Sequence, residues 1–293
     1  MLVYRTPDGL ARREGDELVV VDLPHDDISA LLRVHGPMGS AQQVAAAAPT
    51  RRIALEQATL LAPVSSPTHL VIVGANYRDH VVEAGMSVPS QPLFFTLTDA
   101  AVAAPDAVIM LPDDAPDTVD YEGELAVIIG RAGAQIEAAD AWAHVGGLTV
   151  ANDVSARDVQ LTGMENGRVV DPTAITRAKS FPGFKPLGSA VAMGEQLKGY
   201  LDLELCTRVN GFVRQSARPR DMIFDIPSLI EHVSRSVSLE VGDVILTGTP
   251  AGVGLASNAY LRAGDHVEVS LGGWRLLSNQ VASADAPSHA ARH

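Results

Sequence analysis

Apolar positions along this chain fall mostly in short alternating or continuous runs, and only rarely at helical spacing. Bounded by Gly, Pro, Asn and Asp, these runs predict strands at Leu2 to Tyr4, Glu17 to Leu23, Leu70 to Val73, Leu93 to Phe95, Leu125 to Ile129 and Leu148 to Ala151. Further strands are predicted at Ala190 to Met193, Leu201 to Val209, Val244 to Leu246 and His266 to Leu271. Helical spacing recurs at Ile226, Leu229, Ile230 and Val233, which predicts a helix over Ile226 to Ser236, and a helix-like stretch runs from Asp27 to Val34. The pattern is that of a mixed, β-rich α+β protein without internal repeats.

Proline spacing divides the chain. An Ala-rich segment, Ala45 to Ala48, stops at Pro49, and Leu60 to Pro67 reads as a connector. Residues 1–66 are therefore expected to form a small N-terminal α/β domain, 67–281 the catalytic domain, and 282–293 a flexible tail. Chemistry is expected beyond the connector.

With 293 residues, 46% of them hydrophobic and 19% charged, the chain can bury a full core. A formal net charge of -13 argues against nucleic acid as a partner, because phosphate binding needs a basic surface that releases counterions. A small anionic substrate stays compatible with it if a local cluster or a metal supplies positive charge. The single Cys206 excludes an intramolecular disulfide, and its place in the alternating run Leu201 to Cys206 marks it as a core residue. No apolar run approaches a membrane span and the N-terminus lacks a signal-peptide pattern, so a cytoplasmic protein with no membrane partner is expected.

The candidate chemistry begins at Asp120-Tyr121-Glu122-Gly123-Glu124, which opens the run Leu125 to Ile129. Side chains two apart on a strand point the same way, so Glu122 and Glu124 face one side at the mouth of a buried element. Held that close, two carboxylates need a cation or a proton. An exposed strand start with both acids solvated would carry the same pattern. Asp153, where the run Gly147 to Asn152 ends in a polar cluster, supplies a third oxygen ligand. Three carboxylates without a Cys or His cluster favour Mg2+ or Mn2+, with Ca2+ also compatible.

After the strand Leu70 to Val73, the segment Gly74 to Glu83 loses strand character; if it turns helical past Asn76, His80 and Glu83 share a face. A carboxylate beside a histidine raises its basicity and fixes its tautomer, as a general base requires, although surface ion pairs have the same spacing. Arg157, Asp158 and Gln160 follow Asp153 closely and can orient an anion or support the metal ligands, while Lys179 is ambiguous by itself. The turn Thr247 to Gly254 can bind a carboxylate through hydroxyl and backbone N–H groups, but it lacks the ending of a phosphate-binding loop.

Taken together and in order, Gly74-x-Asn76-Tyr77-x-x-His80-x-x-Glu83, Asp120-Tyr121-Glu122-x-Glu124, Asn152 to Asp158 with Gln160, Lys179-Ser180-Phe181, Val209-Asn210-Gly211 and Gly242 to Gly254 resemble the fumarylacetoacetate hydrolase family over roughly residues 70 to 280. The resemblance implies a β-roll catalytic domain, a homodimer, and hydrolysis of a carbon–carbon bond in a 1,3-diketo acid of the acylpyruvate or fumarylpyruvate kind. It places Glu122, Glu124 and Asp153 on the metal, His80 and Glu83 as a water-activating dyad on a lid, and Lys179 against a small anionic keto acid. Tyr77, Arg157, Gln160 and Thr249 would bind that substrate. Decarboxylation of an oxaloacetate-type acid or isomerisation of an unsaturated keto acid would use the same metal site; hydrolysis or dehydration of a sugar-derived keto acid, or an inactive member, are the remaining alternatives. Two positions depart from the pattern: Phe94-Phe95-Thr96-Leu97 stands where Phe-x-Lys-Pro is common, and Pro182 where Asp is frequent, both expected beside the pocket.

Overall fold

The computed structural model describes residues 1–97, 102–165 and 168–283. A ten-stranded sheet dominates. Its N-terminal portion consists of β1 (Leu2–Thr6), β2 (Gly9–Glu14), β3 (Glu17–Val21) and β4 (Pro49–Ala54), and its far edge of β5 (Leu70–Gly74) and β6 (Leu93–Leu97). Between them lie the strands Ala190–Ala192, Val145–Asn152, Gly123–Ile129 and Val244–Leu246, giving the order β4, β3, β2, β1, Ala190–Ala192, Val145–Asn152, Gly123–Ile129, Val244–Leu246, β5, β6. β1 pairs antiparallel with Ala190–Ala192 in the register Leu2 with Ala192, so the N-terminal strands extend the same sheet that carries the candidate site. Val244–Leu246 runs parallel to β5.

Period two along Gly123–Ile129 builds the core on both faces. Leu125, Val127 and Ile129 join a cluster with Leu229, Ile230 and Val233 of helix α5 (Ile226–Ser234) and with Leu205, Val269 and Leu271 of a second, five-stranded sheet. Ala126 and Ile128 point the other way, onto Ile28, Leu31, Leu32 and Val44 of helix α1 (Ile28–Ala46). The second sheet runs Phe212–Ala217, Leu205–Val209, His266–Leu271, Trp274–Ser283, Ile109–Leu111. The remaining α-helices among the described residues are short: α2 (Arg78–Glu83), α3 (Arg157–Thr162), α4 (Pro172–Lys179) and α6 (Gly254–Ser257). No helix among the described residues is long and apolar enough to cross a membrane.

The expected β-rich α+β architecture is what forms, with local differences. Asp27 caps α1, its side chain accepting from the Ala30 N–H at 2.7 Å, and the helix continues past Val34 through a kink at Gly36 (φ +66°) and Pro37. The expected strand from Leu201 starts only at Leu205, because Leu197–Asp202 winds into a 3₁₀ turn whose Leu197 reaches the core while Leu201 and Leu203 pack against its rim. Cys206 is buried in that strand, as its alternation indicated. Ala282 and Ser283 pair with Met110 and Leu111, and the rest of the expected tail, 284–293, lies outside the described residues.

The docking of α1 depends on two facing glycines. A Cβ on Gly146 would lie 2.7 Å from Leu32 Cδ1 and 2.8 Å from Gly130 Cα, closer than real contacts allow. Gly146→Ala is expected to lower stability by about 1–3 kcal/mol through overpacking, seen as a lower urea midpoint at unchanged slope.

Candidate metal centre

Glu124 lies in the strand Gly123–Ile129, Glu122 immediately before it, and Asp153 immediately after the neighbouring strand Val145–Asn152. The two strand ends are tied together: the Asp153 N–H donates to the Glu122 carbonyl at 2.7 Å, and the Glu122 N–H to Asn152 Oδ1 at 2.9 Å. One oxygen from each of Glu122, Glu124 and Asp153 lies within 4.8 Å of the others, and all three residues are buried. The alternation that put Glu122 and Glu124 on one side thus brings them to the third carboxylate.

Buried cations hold this cluster. Lys179, the last residue of α4, donates from Nζ to Glu122 Oε2 at 2.7 Å, Asp153 Oδ2 at 2.5 Å and Ser155 Oγ at 2.8 Å. Those three bonds use all the ammonium hydrogens. Arg157 donates to Asp120 Oδ2 from Nε at 2.8 Å, to Glu122 Oε1 from Nη2 at 2.7 Å and to Gln160 Oε1 from Nη1 at 2.6 Å. Asp120 in turn accepts from the N–H groups of Tyr121, Gly254 and Leu255, which anchors α6. Burial opposes ionisation of Glu122, but the Lys179 ammonium and Arg157 guanidinium hold its carboxyl well below the usual range. Glu124 behaves oppositely: burial, then the charges of Asp153 and Glu122, push its carboxyl well up, and the N–H of Gly248 on its Oε2 at 2.7 Å only partly offsets them.

The donor set fits a hard divalent ion. All three candidate ligands are carboxylates, Asp153 Oδ1 is buried without a hydrogen bond, and the hydrogen bond that Glu124 accepts among the described residues falls on Oε2, not Oε1. Burial and its acidic neighbours favour the neutral form of Glu124, whereas a dication in the cluster would favour the ionised form. Mn2+ addition in weakly buffered solution is expected to release about one proton per chain, followed with a pH indicator; no release would show Glu124 already ionised.

These carboxylates open onto a cavity of 610 Å³ also lined by His80, Glu83, Gln160 and Thr249. His80 and Glu83 do share a face of α2, with His80 Nδ1 3.5 Å from Glu83 Oε2. The contact is not a formed hydrogen bond: Nδ1 is buried without a partner, and both Glu83 oxygens accept from the Gly252 N–H at 3.0 Å. His80 lines the cavity, and its Nε2 makes no hydrogen bond among the described residues. Gly252 (φ +104°) makes this contact possible, since a Cβ there would meet the Arg214 carbonyl. Glu83 thus straps α2 to the loop between Thr247 and Gly254.

Other expected residues sit as follows. Thr249 faces the cavity, but its hydroxyl donates to the Gly123 carbonyl at 3.1 Å and accepts from Gln215 at 2.7 Å. Tyr77 precedes α2 with a buried, unpaired hydroxyl; it is not among the described residues walling the cavity, and burial and the charges of Glu124 and Asp221 push its pKa up. Phe95 lines the cavity, whereas Thr96 and Pro182 are exposed and are not part of its wall, so neither departure from the family pattern alters it directly. Sequence reasoning passed over Ser155, Gln215 and Lys185. Lys185 is fully buried, burial pushes its ammonium down to about 8, and Nζ lies 2.9 Å from Asp153 Oδ1. Nothing in the local pattern Gly183-Phe184-Lys185-Pro186 marks it as interior.

Comparison with known proteins supports this architecture. Residues 69–282 match the family model for the fumarylacetoacetate hydrolase C-terminal domain. The mitochondrial oxaloacetate tautomerase FAHD2A of Bos taurus is 41% identical over 227 residues, 77% of this chain and 70% of that protein. The oxaloacetate tautomerase YisK of Bacillus subtilis is 37% identical over 234 residues, 78% of this chain and 74% of that protein. Among solved structures, a fumarylacetoacetate hydrolase from Exiguobacterium antarcticum superposes with a TM-score of 0.79 at 32% identity, covering 96% of this chain and 98% of that one. A 5-carboxymethyl-2-hydroxymuconate delta-isomerase from Mycobacterium smegmatis gives 0.73 at 34% identity, covering 97% and 100%. With a family match over most of its length and the acidic cluster in place, the chain belongs to the fumarylacetoacetate hydrolase family.

Proposed function

We propose that the protein interconverts the keto and enol forms of a short 2-oxo dicarboxylic acid of the oxaloacetate type at a divalent metal centre. The observation that carries this reading is the His80 imidazole, which lines one cavity with the three carboxylates and whose Nδ1 has no partner among the described residues, while Glu83 is satisfied by Gly252. Proton transfer between carbon and oxygen needs one positioned base and no activated water. The names of the tautomerase relatives point to the same chemistry.

A divalent ion, Mg2+ or Mn2+, held by Glu122, Glu124 and Asp153 would supply Lewis acidity that polarises the C2 carbonyl and acidifies the C3 hydrogens. His80 takes a C3 proton as the C–H pair forms C2=C3 and the C2=O π pair moves onto oxygen, and it returns the proton to that oxygen, so the only σ bond to carbon that breaks is C–H. Lys179 and Arg157 keep Glu122 ionised, and Lys179 also holds Asp153 in place. The Gln160 amide nitrogen, whose partner oxygen is held by Arg157, has no hydrogen-bond acceptor among the described residues and would donate to a substrate carboxylate.

The test is ketonisation of enol-oxaloacetate, followed by loss of its ultraviolet absorbance with and without Mn2+ after chelation. A rate no higher than Mn2+ alone would sink the proposal. The second reading is hydrolysis of an acylpyruvate-type carbon–carbon bond, which the 3.5 Å approach of His80 to Glu83 favours because a small shift would form the dyad. Glu83→Gln separates the two. Keto–enol turnover should fall less than about tenfold, whereas water activation through the dyad would lose about 10²-fold or more, with pyruvate release as the assay.

A further inference from the structure

The cluster contains a cation that the proposed chemistry does not use. Lys185 begins the two-residue strand Lys185–Pro186, and its side chain runs into the interior rather than into the cavity wall. Nζ donates to the carbonyls of Val154 at 2.8 Å and Phe184 at 3.1 Å, and lies 5.7 Å from the centre of the Phe184 ring. Those contacts fix the ammonium behind Asp153. Its 2.9 Å approach to Asp153 Oδ1 is an ion pair off the hydrogen-bond direction, which leaves a lone pair of that oxygen open.

The charge count gives this placement a consequence. Four buried carboxylates, Asp120, Glu122, Glu124 and Asp153, face three buried cations, Arg157, Lys179 and Lys185. The difference is one negative charge when all are ionised, and a dication turns it into one positive charge. Without Lys185 the occupied cluster would carry no net charge. Arg157 and Lys179 are also needed to hold Glu122 in place, but Lys185 touches Asp153 alone among the ligands.

We propose that Lys185 is a positioning residue that acts through Asp153 to weaken the hold of the three carboxylates on their metal ion, leaving the occupied centre net positive for an anionic acid. Like charges a few ångströms apart in a buried site repel strongly, so the ammonium opposes the ion that Asp153 attracts. The inference rests on the metal reading of the site, not on oxaloacetate as substrate.

The test is Mn2+ affinity of the full chain, measured by calorimetry on wild type, Lys185→Met and Lys185→Gln after chelation, with circular dichroism reporting the fold. Methionine matches the length without charge, and glutamine keeps a donor for the Val154 and Phe184 carbonyls. Either folded variant should bind Mn2+ about tenfold or more tightly than wild type. A purely structural lysine would leave affinity unchanged or lower it. Equal or weaker binding in a folded variant overturns the proposal, and so does failure of both variants to fold. Absence of Mn2+ binding by wild type itself would instead remove the metal centre on which the proposed function stands.

Discussion

Arg157→Met is expected to cost about 3–5 kcal/mol of folding free energy, the range for breaking a buried ion pair from one side. Arg157 is 3% exposed, and its guanidinium bridges Asp120 and Glu122 within a single plane of donors. Removing it leaves Asp120 with three backbone N–H groups but leaves Glu122 Oε1 without a partner, and Glu122 then relies on Lys179 alone. The control is Arg177→Ala, which breaks the exposed pair with Asp114 and should change stability by less than about 1 kcal/mol. Urea denaturation of both variants, with and without saturating Mn2+, checks the expectation. The Arg157 loss should shrink when Mn2+ is present, because a dication neutralises the charge left behind. Equal losses for the two variants would contradict the buried network.

His80→Ala should reduce turnover by about 10²–10⁴-fold, the usual contribution of a positioned acid–base group, while Mn2+ affinity stays within about twofold because the imidazole is not one of the three ligands. The measurement is kcat and KM for enol-oxaloacetate alongside Mn2+ calorimetry. Unchanged kcat would remove His80 from the chemistry. Loss of Mn2+ binding together with turnover would mean the imidazole supports the metal instead.

Much of the site could be read along the chain because its logic is local. Glu122 and Glu124 share a side through strand alternation, and His80 and Glu83 share a face through helical spacing. What did not follow from spacing is how committed the cations are. Spacing left Arg157 between orienting an anion and supporting the metal ligands and left Lys179 ambiguous; in the fold Lys179 spends every hydrogen on Glu122, Asp153 and Ser155, and Arg157 is engaged on each of its nitrogens. Glu83, expected to orient His80, accepts instead from Gly252, 169 residues away. The stretch from Leu201 misled for a similar reason: its alternation is real, but packing of Leu197 into the core makes a 3₁₀ turn of its start.

By itself the sequence determined a β-rich chain, the strand carrying two carboxylates at its mouth, the short helix pairing His80 with Glu83, and an ordered set of motifs sufficient to identify the family. Only the tertiary structure decided which charges meet: Glu122 with Lys179 across 57 residues, Glu124 with the Gly248 N–H across 124, and Lys185 behind Asp153. Periodicity records which way a side chain points from its own backbone. Partnership between buried charges depends on strand order and on burial, which raises the energy of every unpaired group and so selects one arrangement among many that the same local patterns permit.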